Sequence, residues 1–202
     1  MNAFERDGET EIVFDLETVP DATTIDSLYL ENVRAGEMGA IVGQIDRFTL
    51  NLGSTTGASR YTTADVSVER QTVSDEGTAL PTSSPAQWCQ PHQYVYAMGM
   101  DTPVTEWGRR IVKVDVESET TETFDAGGDY FGGPLFIPAP SGDREDEGVV
   151  VTVALDVGAE RSRLIVLDGK SFTERARVTL PHAVPFDFHG RYFPELRADS
   201  NE

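Results

Sequence analysis

A pattern that occurs twice in the second half of the chain constrains the fold more than any other feature. In each copy, a hydrophobic run ends in an aspartate, a polar turn follows, and a second strand-like run comes next. The first copy covers residues 111–124 and the second covers residues 164–175. When Asp115 is aligned with Asp168, the copies lie roughly 50 residues apart, a spacing that indicates a repeated unit of β-strands.

The repeat predicts an all-β protein and favours a partial β-propeller. Residues 148–156 form a further hydrophobic run before the second copy, so that each unit holds several strands. Such antiparallel units form a β-propeller when they are arranged radially, with about 40–50 residues per blade. Because the first half of the chain contains no clear copy, we expect about three blades of an incomplete ring. A β-sandwich, which is also built of short strands, is the competing architecture.

The rest of the chain predicts more strands, one short helix and several turns. Apolar runs and alternating apolar and polar residues predict strands at residues 11–16, 44–52, 61–69 and 93–100. Residues 24–34 place apolar side chains on one face of a helix, with Thr24 as its N-cap and Gly36 at its end. The polar stretches predict a turn at 53–57, a long irregular loop at 74–90 and a solvated charged turn at 143–147.

Acidity is the strongest compositional feature of the chain. Its formal net charge is −19, from 35 acidic and 16 basic residues, and its only lysines are Lys113 and Lys170. Carboxylates spread along a chain favour a protein adapted to molar salt, because they hold water while salt screens their mutual repulsion. The same charge excludes nucleic acid as an expected partner, since phosphates would be repelled.

The cysteine content and the N-terminal residues predict the compartment. Cys89 has no partner for an internal disulfide, which favours a reducing compartment, and we expect its side chain to be buried. The sequence has no apolar stretch of about 18 residues that would predict a membrane span. Residues 1–11 carry acids rather than the basic and apolar runs of a secretion signal. We therefore expect a cytoplasmic protein, and contact with the periphery of a membrane is left open.

Residues 180–194 are where we expect the chemistry. Prolines frame a short apolar run, and His189 follows directly before Gly190. The neighbouring aromatic residues predict a dry setting, in which a neutral imidazole suits a borderline transition metal; they are Phe186, Phe188, Tyr192 and Phe193. One imidazole does not make a site, because metal centres use about three or four protein ligands, and His92 and His182 lack ligand spacing. A packed core histidine is the alternative interpretation.

A set of stretches in a fixed order points to a known family. The most specific is the Pro-Phe-x-Phe-His-Gly pattern at residues 185–190, and the others lie at residues 2–5, 25–30, 94–99, 134–138 and 145–150. Together they resemble the carboxy-terminal part of the carotenoid cleavage oxygenases. The resemblance covers nearly the whole chain, and residues 36–77 match least.

The resemblance implies an iron-dependent oxygenase fold. By resemblance, the chain would form about the last three blades of a seven-bladed propeller with Fe(II) on its axis, bound by four histidines from different blades. In that family the iron activates O2, and a double bond of a carotenoid, apocarotenoid or stilbene is split into two carbonyl fragments. His189 corresponds to the last of the four histidines, and imidazole is a suitable ligand for Fe(II).

The chain also departs from the family pattern. The third family histidine belongs to a His-His-x-Asn pattern, and Met1 stands at the x position, so that this histidine and the two before it lie outside the sequence. The family usually has glutamates that orient the ligating histidines near the positions held here by Ala79 and Gly133. We therefore expect residues 1–202 to be an incomplete domain that needs an upstream polypeptide for the missing blades.

Two functions remain open from the sequence. The first is a dioxygenase that cleaves a polyene, such as carotene to retinal, in a full-length form, with the isolated chain inactive. The second is a non-catalytic propeller fragment that acts as a binding or assembly module. Ala79 and Gly133 favour the second function, whereas the retained pattern around His189 favours the first.

Overall fold

The protein is described here by a computed structural model that covers residues 1–6, 10–37, 43–52, 66–101, 107–185 and 188–193. The first sheet contains β1 (Asn2–Arg6), β2 (Glu11–Thr18), β3 (Gly43–Asn51), β4 (Ser67–Ser83), β5 (Tyr94–Gly99), β6 (Arg110–Asp115) and β7 (Thr120–Asp125). The second sheet contains β8 (Tyr130–Phe131), β9 (Leu135–Pro138), β10 (Gly148–Asp156), β11 (Arg161–Asp168) and β12 (Glu174–Thr179). The helices are α1 (Thr23–Asp26), α2 (Leu30–Ala35) and a 3-10 helix, Pro85–Gln87.

The strands form three consecutive antiparallel meanders. The order in the first sheet is β1-β2-β3-β4-β5-β6-β7, and in the second it is β12-β11-β10-β8, with β9 also paired to β10. The 17-residue strand β4 is shared by two meanders, because its N-terminal part pairs with β3 and its C-terminal part pairs with β5. The first meander is β1, β2, β3 and the N-terminal part of β4, and the second is the C-terminal part of β4 with β5, β6 and β7. The third meander is the second sheet. These three units agree with the repeat number expected from the sequence.

The middle meander is apolar on both faces and joins the other two. One apolar cluster contains Ile45 and Val73 of the first meander together with Val95, Ala97, Val112 and Val114 of the second. The other cluster packs the opposite face of the second meander against the third; its members include Tyr96, Met98, Ile111, Phe131, Phe136, Val150, Ile165 and Leu167. Each of these side chains is almost fully buried, which is worth about 1.5–3 kcal/mol for a large aliphatic or aromatic group.

The sequence repeat is also a repeat of turn geometry. In both copies, the Oδ1 atom of Asp115 or Asp168 accepts hydrogen bonds from the backbone N–H groups two and three residues further on, at 2.8 to 3.0 Å. The residue four positions after the aspartate has a left-handed backbone conformation, with φ of 57° at Glu119 and 51° at Phe172. Asp156, between β10 and β11, accepts the same type of bond from the N–H three residues on, at 3.0 Å. The turn that follows Asp156 is therefore a third example of this geometry.

The charged turn at residues 143–147 is not wholly solvated as expected. Asp146 is buried, and its carboxylate lies 3.3 Å from the Nζ atom of Lys113, which is buried as well. The ammonium group also lies 4.2 Å from the centre of the Tyr94 ring. A carboxylate and an ammonium group that lose water need each other's charge, so the packing of the second meander against the third explains why both are buried.

The predicted helix is divided into two short helices. The chain leaves helical geometry at Tyr29, where ψ is 136°, and the Oγ atom of Ser27 donates a hydrogen bond to the Thr24 carbonyl at 2.7 Å. Ala22 rather than Thr24 is at the N-cap, whereas Gly36 ends α2 with φ of 74° as predicted. The apolar side chains of this segment are largely exposed. Without a packed face, the segment lacks the contacts that sustain a longer helix.

The prediction of an irregular loop at residues 74–90 is wrong. Most of it belongs to β4, which bends at the irregular register between Ala79 and Thr82, where Leu80 has φ of 56°. Pro81 is tolerated because this part of the strand is irregular. Cys89 is exposed rather than buried, with φ of 62°. The turn expected at 53–57 lies outside the described residues, as does most of the strand expected at 61–69, of which the structure describes β4 from Ser67.

Candidate functional site

The segment that carries His189 lies against the loop between β8 and β9. A Cβ atom added to Gly133 would lie 2.6 Å from the Phe188 carbonyl oxygen, and one added to Gly190 would lie 3.8 Å from a Leu135 methyl group. The backbone on both sides of His189 therefore touches residues 133–135. The imidazole itself is exposed in this chain.

The structure brings together the positions that the resemblance singled out. The added Cβ atom at Gly133 would also lie 3.4 Å from the side chain of Leu80, which follows Ala79 in the irregular part of β4. Residues from the second meander, the third meander and the C-terminal segment thus meet at one place. Ala79 and Gly133 bring no carboxylate to it.

The aromatic setting expected around His189 is not dry in this chain. Phe188 is 67% exposed, and Tyr192 and Phe193 are 42% and 44% exposed. Phe186 lies outside the described residues. These side chains lie at the surface, so the described residues do not enclose them.

Glu17 is a carboxylate of this region that the sequence reasoning missed. It shares a face of β2 with the buried Val13, and its side chain crosses Gly43 of β3, where an added Cβ atom would lie 2.6 Å from its Oε1 atom. Burial raises the pKa of Glu17 to about 7, although hydrogen bonds to Thr78 and to the Leu80 backbone act to lower it. Its Oε1 atom is buried and has no hydrogen-bond partner among the described residues. The period of two along β2 was the signal that could have found it.

A buried polar network fixes the start of β1. Two guanidinium nitrogens of Arg47 donate to the Asp15 carboxylate, both at 2.8 Å, and His92 Nε2 lies 2.9 Å from Asp15 Oδ2. Burial raises the pKa of Asp15, but the hydrogen bonds from Arg47 and His92 outweigh it and hold that pKa below its usual value. His92 Nδ1 lies 3.1 Å from Asn2 Nδ2. His92 is thus a structural histidine, and His182 is exposed.

The described residues do not supply a complete metal centre. Within them, no group of three or more His, Cys, Asp or Glu side chains is placed to hold a metal ion. His189 contributes one imidazole, whereas protein metal centres use about three or four ligands. This chain's described residues therefore do not fit a bound iron by themselves.

Comparison with known proteins gives the same family over nearly all of the chain. The family model described as "Retinal pigment epithelial membrane protein" matches residues 1–194. The chloroplastic carotenoid cleavage dioxygenase 8 of Arabidopsis thaliana is 29% identical over 205 residues, which cover 96% of this chain and 34% of the relative. The carotenoid isomerooxygenase of Galleria mellonella is 30% identical over 206 residues, covering 96% of this chain and 38% of the relative.

Solved structures give the same result for the fold. The cobalt-substituted apocarotenoid oxygenase of Synechocystis superposes with a TM-score of 0.73 at 25% identity, covering 94% of this chain and 38% of that chain. The partial β-propeller expected from the repeat is thereby confirmed, and the β-sandwich is not the architecture. The chain belongs to the carotenoid cleavage oxygenase family. It spans a little over a third of the length of these relatives.

The helices add one further observation. In the ranges that the structure describes, neither α1 nor α2 approaches the length or apolar character needed to span a bilayer.

Proposed function

We propose that this chain is the carboxy-terminal part of an Fe(II)-dependent oxygenase that cleaves a polyene double bond with O2. The products would be two carbonyl fragments, as in the conversion of carotene to retinal, and the substrate would be a carotenoid or apocarotenoid. The family match over residues 1–194 is the observation that carries the proposal. The meeting of Leu80, Gly133 and the His189 segment at one place supports it.

In this proposal His189 is one ligand of the iron, and the other imidazoles come from an upstream polypeptide. When bound, the iron would supply O2 activation. What this chain supplies is a backbone seat for one imidazole and a buried carboxyl group, Glu17, beside the bent part of β4. We expect the isolated chain to be inactive, because one imidazole does not replace a set of three or four.

The outer faces of the first and third meanders support an upstream partner. On the third, half-buried aliphatic side chains form a stripe across β10 and β11; they are Val149, Val151, Val153, Leu164 and Val166. On the first, Phe14 and Phe48 stack with ring centres 5.1 Å apart, and both are only half-buried. Apolar sheet faces of this kind are normally covered by another layer, and further blades would cover both.

The experiment is an iron titration of two forms of the protein. The 202-residue chain and a form co-expressed with the upstream blades are each titrated with Fe(II), and bound iron is measured by elemental analysis. We expect stoichiometric iron and carotene bleaching only in the assembled form. Tight binding of one iron by the isolated chain would refute the shared site, and an assembled form that neither holds iron nor bleaches carotene would refute the oxygenase.

A non-catalytic assembly module is the second candidate. The observation that favours it is the lack of a carboxylate at Ala79 and Gly133, where the Phe188 carbonyl oxygen now fills the space beside Gly133. An assembled form that is stable and compact but holds no iron would support this candidate. A cytoplasmic location and adaptation to high salt are part of both proposals, and both are supported by the single cysteine and the net charge of −19.

A further inference from the structure

We propose that Arg191 is a positioning residue that clasps the His189 segment (residues 188–193) onto the second meander. Its guanidinium carbon lies 5.2 Å from the ring centre of Trp88 and 5.2 Å from that of Phe193. Trp88 directly follows the 3-10 helix after β4, far from Arg191 in sequence. The guanidinium group therefore contacts one ring of the second meander, Trp88, and one ring of its own segment, Phe193.

Gly133 is the second point at which the His189 segment contacts the rest of the chain. An added Cβ atom there would lie 2.6 Å from the Phe188 carbonyl oxygen, which is backbone and cannot move aside as the end of a side chain can. Glycine at this position lets the segment approach the third meander closely. His189 is thus placed between a backbone contact on one side and the Arg191 clasp on the other.

Little else in the described structure holds the segment. Among the residues that the structure describes, 188–193 take part in no backbone hydrogen bond, and their aromatic side chains are partly exposed. Tyr192 lines a cavity of about 770 Å³. Since the described residues supply no backbone hydrogen bond to the segment, the contact of Arg191 with Trp88 is one of the interactions that fix it there.

The clasp uses properties that are specific to arginine. A planar guanidinium group stacks on aromatic faces and is weakly hydrated, so it can lie between two rings while partly exposed to solvent. Each such contact at an exposed site is worth about 0.5–1 kcal/mol. Only the Trp88 contact joins the segment to the second meander, so it shifts the opening equilibrium toward the closed form by about two- to fivefold.

The test measures how often the segment opens, in the 202-residue chain itself. Chymotrypsin cleavage after Phe188 and Tyr192 is followed by mass spectrometry, and each rate is divided by the rate for the same variant unfolded in urea. We expect Arg191→Met to be cleaved about two- to fivefold faster than wild type, since Met keeps an apolar side chain but removes the cation. Arg191→Lys should fall between the two.

A matched control and a second disruption make the test specific. Arg175→Met removes another exposed arginine, from β12, and should leave the cleavage rates unchanged. Gly133→Ala should raise the cleavage rates as well, because the new methyl group would collide with the Phe188 carbonyl oxygen and push the segment away from the third meander. The melting temperature should stay close to that of wild type in all four variants, which separates release of the segment from unfolding.

The partner ring provides the decisive comparison. If Arg191 acts through Trp88, the double variant Arg191→Met/Trp88→Leu should be cleaved no faster than Trp88→Leu alone. Wild-type cleavage rates in Arg191→Met, or independent effects in the double variant, would overturn the proposal. Iron takes no part in this measurement, so its outcome is separate from that of the proposed function, on which only the chemical role of His189 rests.

Discussion

Glu17 allows a quantitative prediction about stability and pH. Its carboxyl group has an ordinary pKa of 4.5, and burial raises that pKa to about 7 in the folded chain. The folded state therefore holds a proton on Glu17 over a pH range in which the unfolded chain has lost it. By linkage, the stability that Glu17 contributes is fully present below pH 4.5 and is lost as the pH rises through about 7.

The size of the effect follows from the two pKa values. Each pH unit between them is worth about 1.4 kcal/mol, so the loss amounts to about 3 kcal/mol. Glu17→Gln has nearly the same shape, and it does not ionise. We therefore expect the free energy of unfolding of the variant, relative to wild type, to rise by about 3 kcal/mol between pH 4 and pH 8.

The assay is urea unfolding of both proteins at half-unit pH steps and constant high salt. Other carboxyl groups that titrate on folding, such as Asp15, contribute equally to both proteins and cancel in the difference. Glu11→Gln is the matched control, because Glu11 lies on the same strand but at the surface, 2.8 Å from Arg6. A difference curve for Glu17→Gln that is flat from pH 4 to pH 8, or that falls, would refute the burial of this carboxyl group.

Three further predictions concern the junction, the repeated turn and the surface. Lys113→Met should lower the free energy of unfolding by about 2 kcal/mol in urea, because the buried Asp146 carboxylate loses its buried cation and keeps only the exposed Arg144 among the described partners. Lys170→Met is the exposed control, and an equal loss there would contradict this explanation. Asp168→Ala should cost about 1 kcal/mol by the same assay, since two turn hydrogen bonds are lost; an unchanged midpoint would show that the turn forms without them. The net charge of −19 predicts a melting temperature that rises steadily with added KCl, measured by circular dichroism, and a falling melting temperature would count against salt adaptation.

The strands and the repeated turn could be predicted because their causes are local. Asp115 and Asp168 accept bonds from N–H groups only two and three residues away, so the turn is encoded in a few adjacent residues. The apolar run of β2 and the alternation in β3 are likewise patterns within a single strand. The number of units followed from the spacing of these local signals.

The errors lie where distant strands decide the outcome. The stretch around Ala79 is polar and contains Pro81, which suggests a loop, but β3 and β5 on either side pair with it and make it a strand. The predicted helix at residues 24–34 had a suitable apolar face, but the described structure packs nothing against most of it. Local secondary-structure propensity is a weak guide when strands or side chains that are distant in sequence decide whether a segment is paired or packed.

The sequence by itself determined most of the described strands, the repeated aspartate turn, the family and the choice of His189 as the candidate ligand. Only the tertiary structure decided that Glu17 lies beside Leu80, that Lys113 is buried against Asp146, and that Gly133 supports the backbone next to His189. The physical reason is that burial and electrostatics depend on which surfaces meet. Local periodicity shows which side of a strand a residue occupies. The neighbouring meander determines whether that side is exposed to solvent, buried among apolar groups or placed beside a charge.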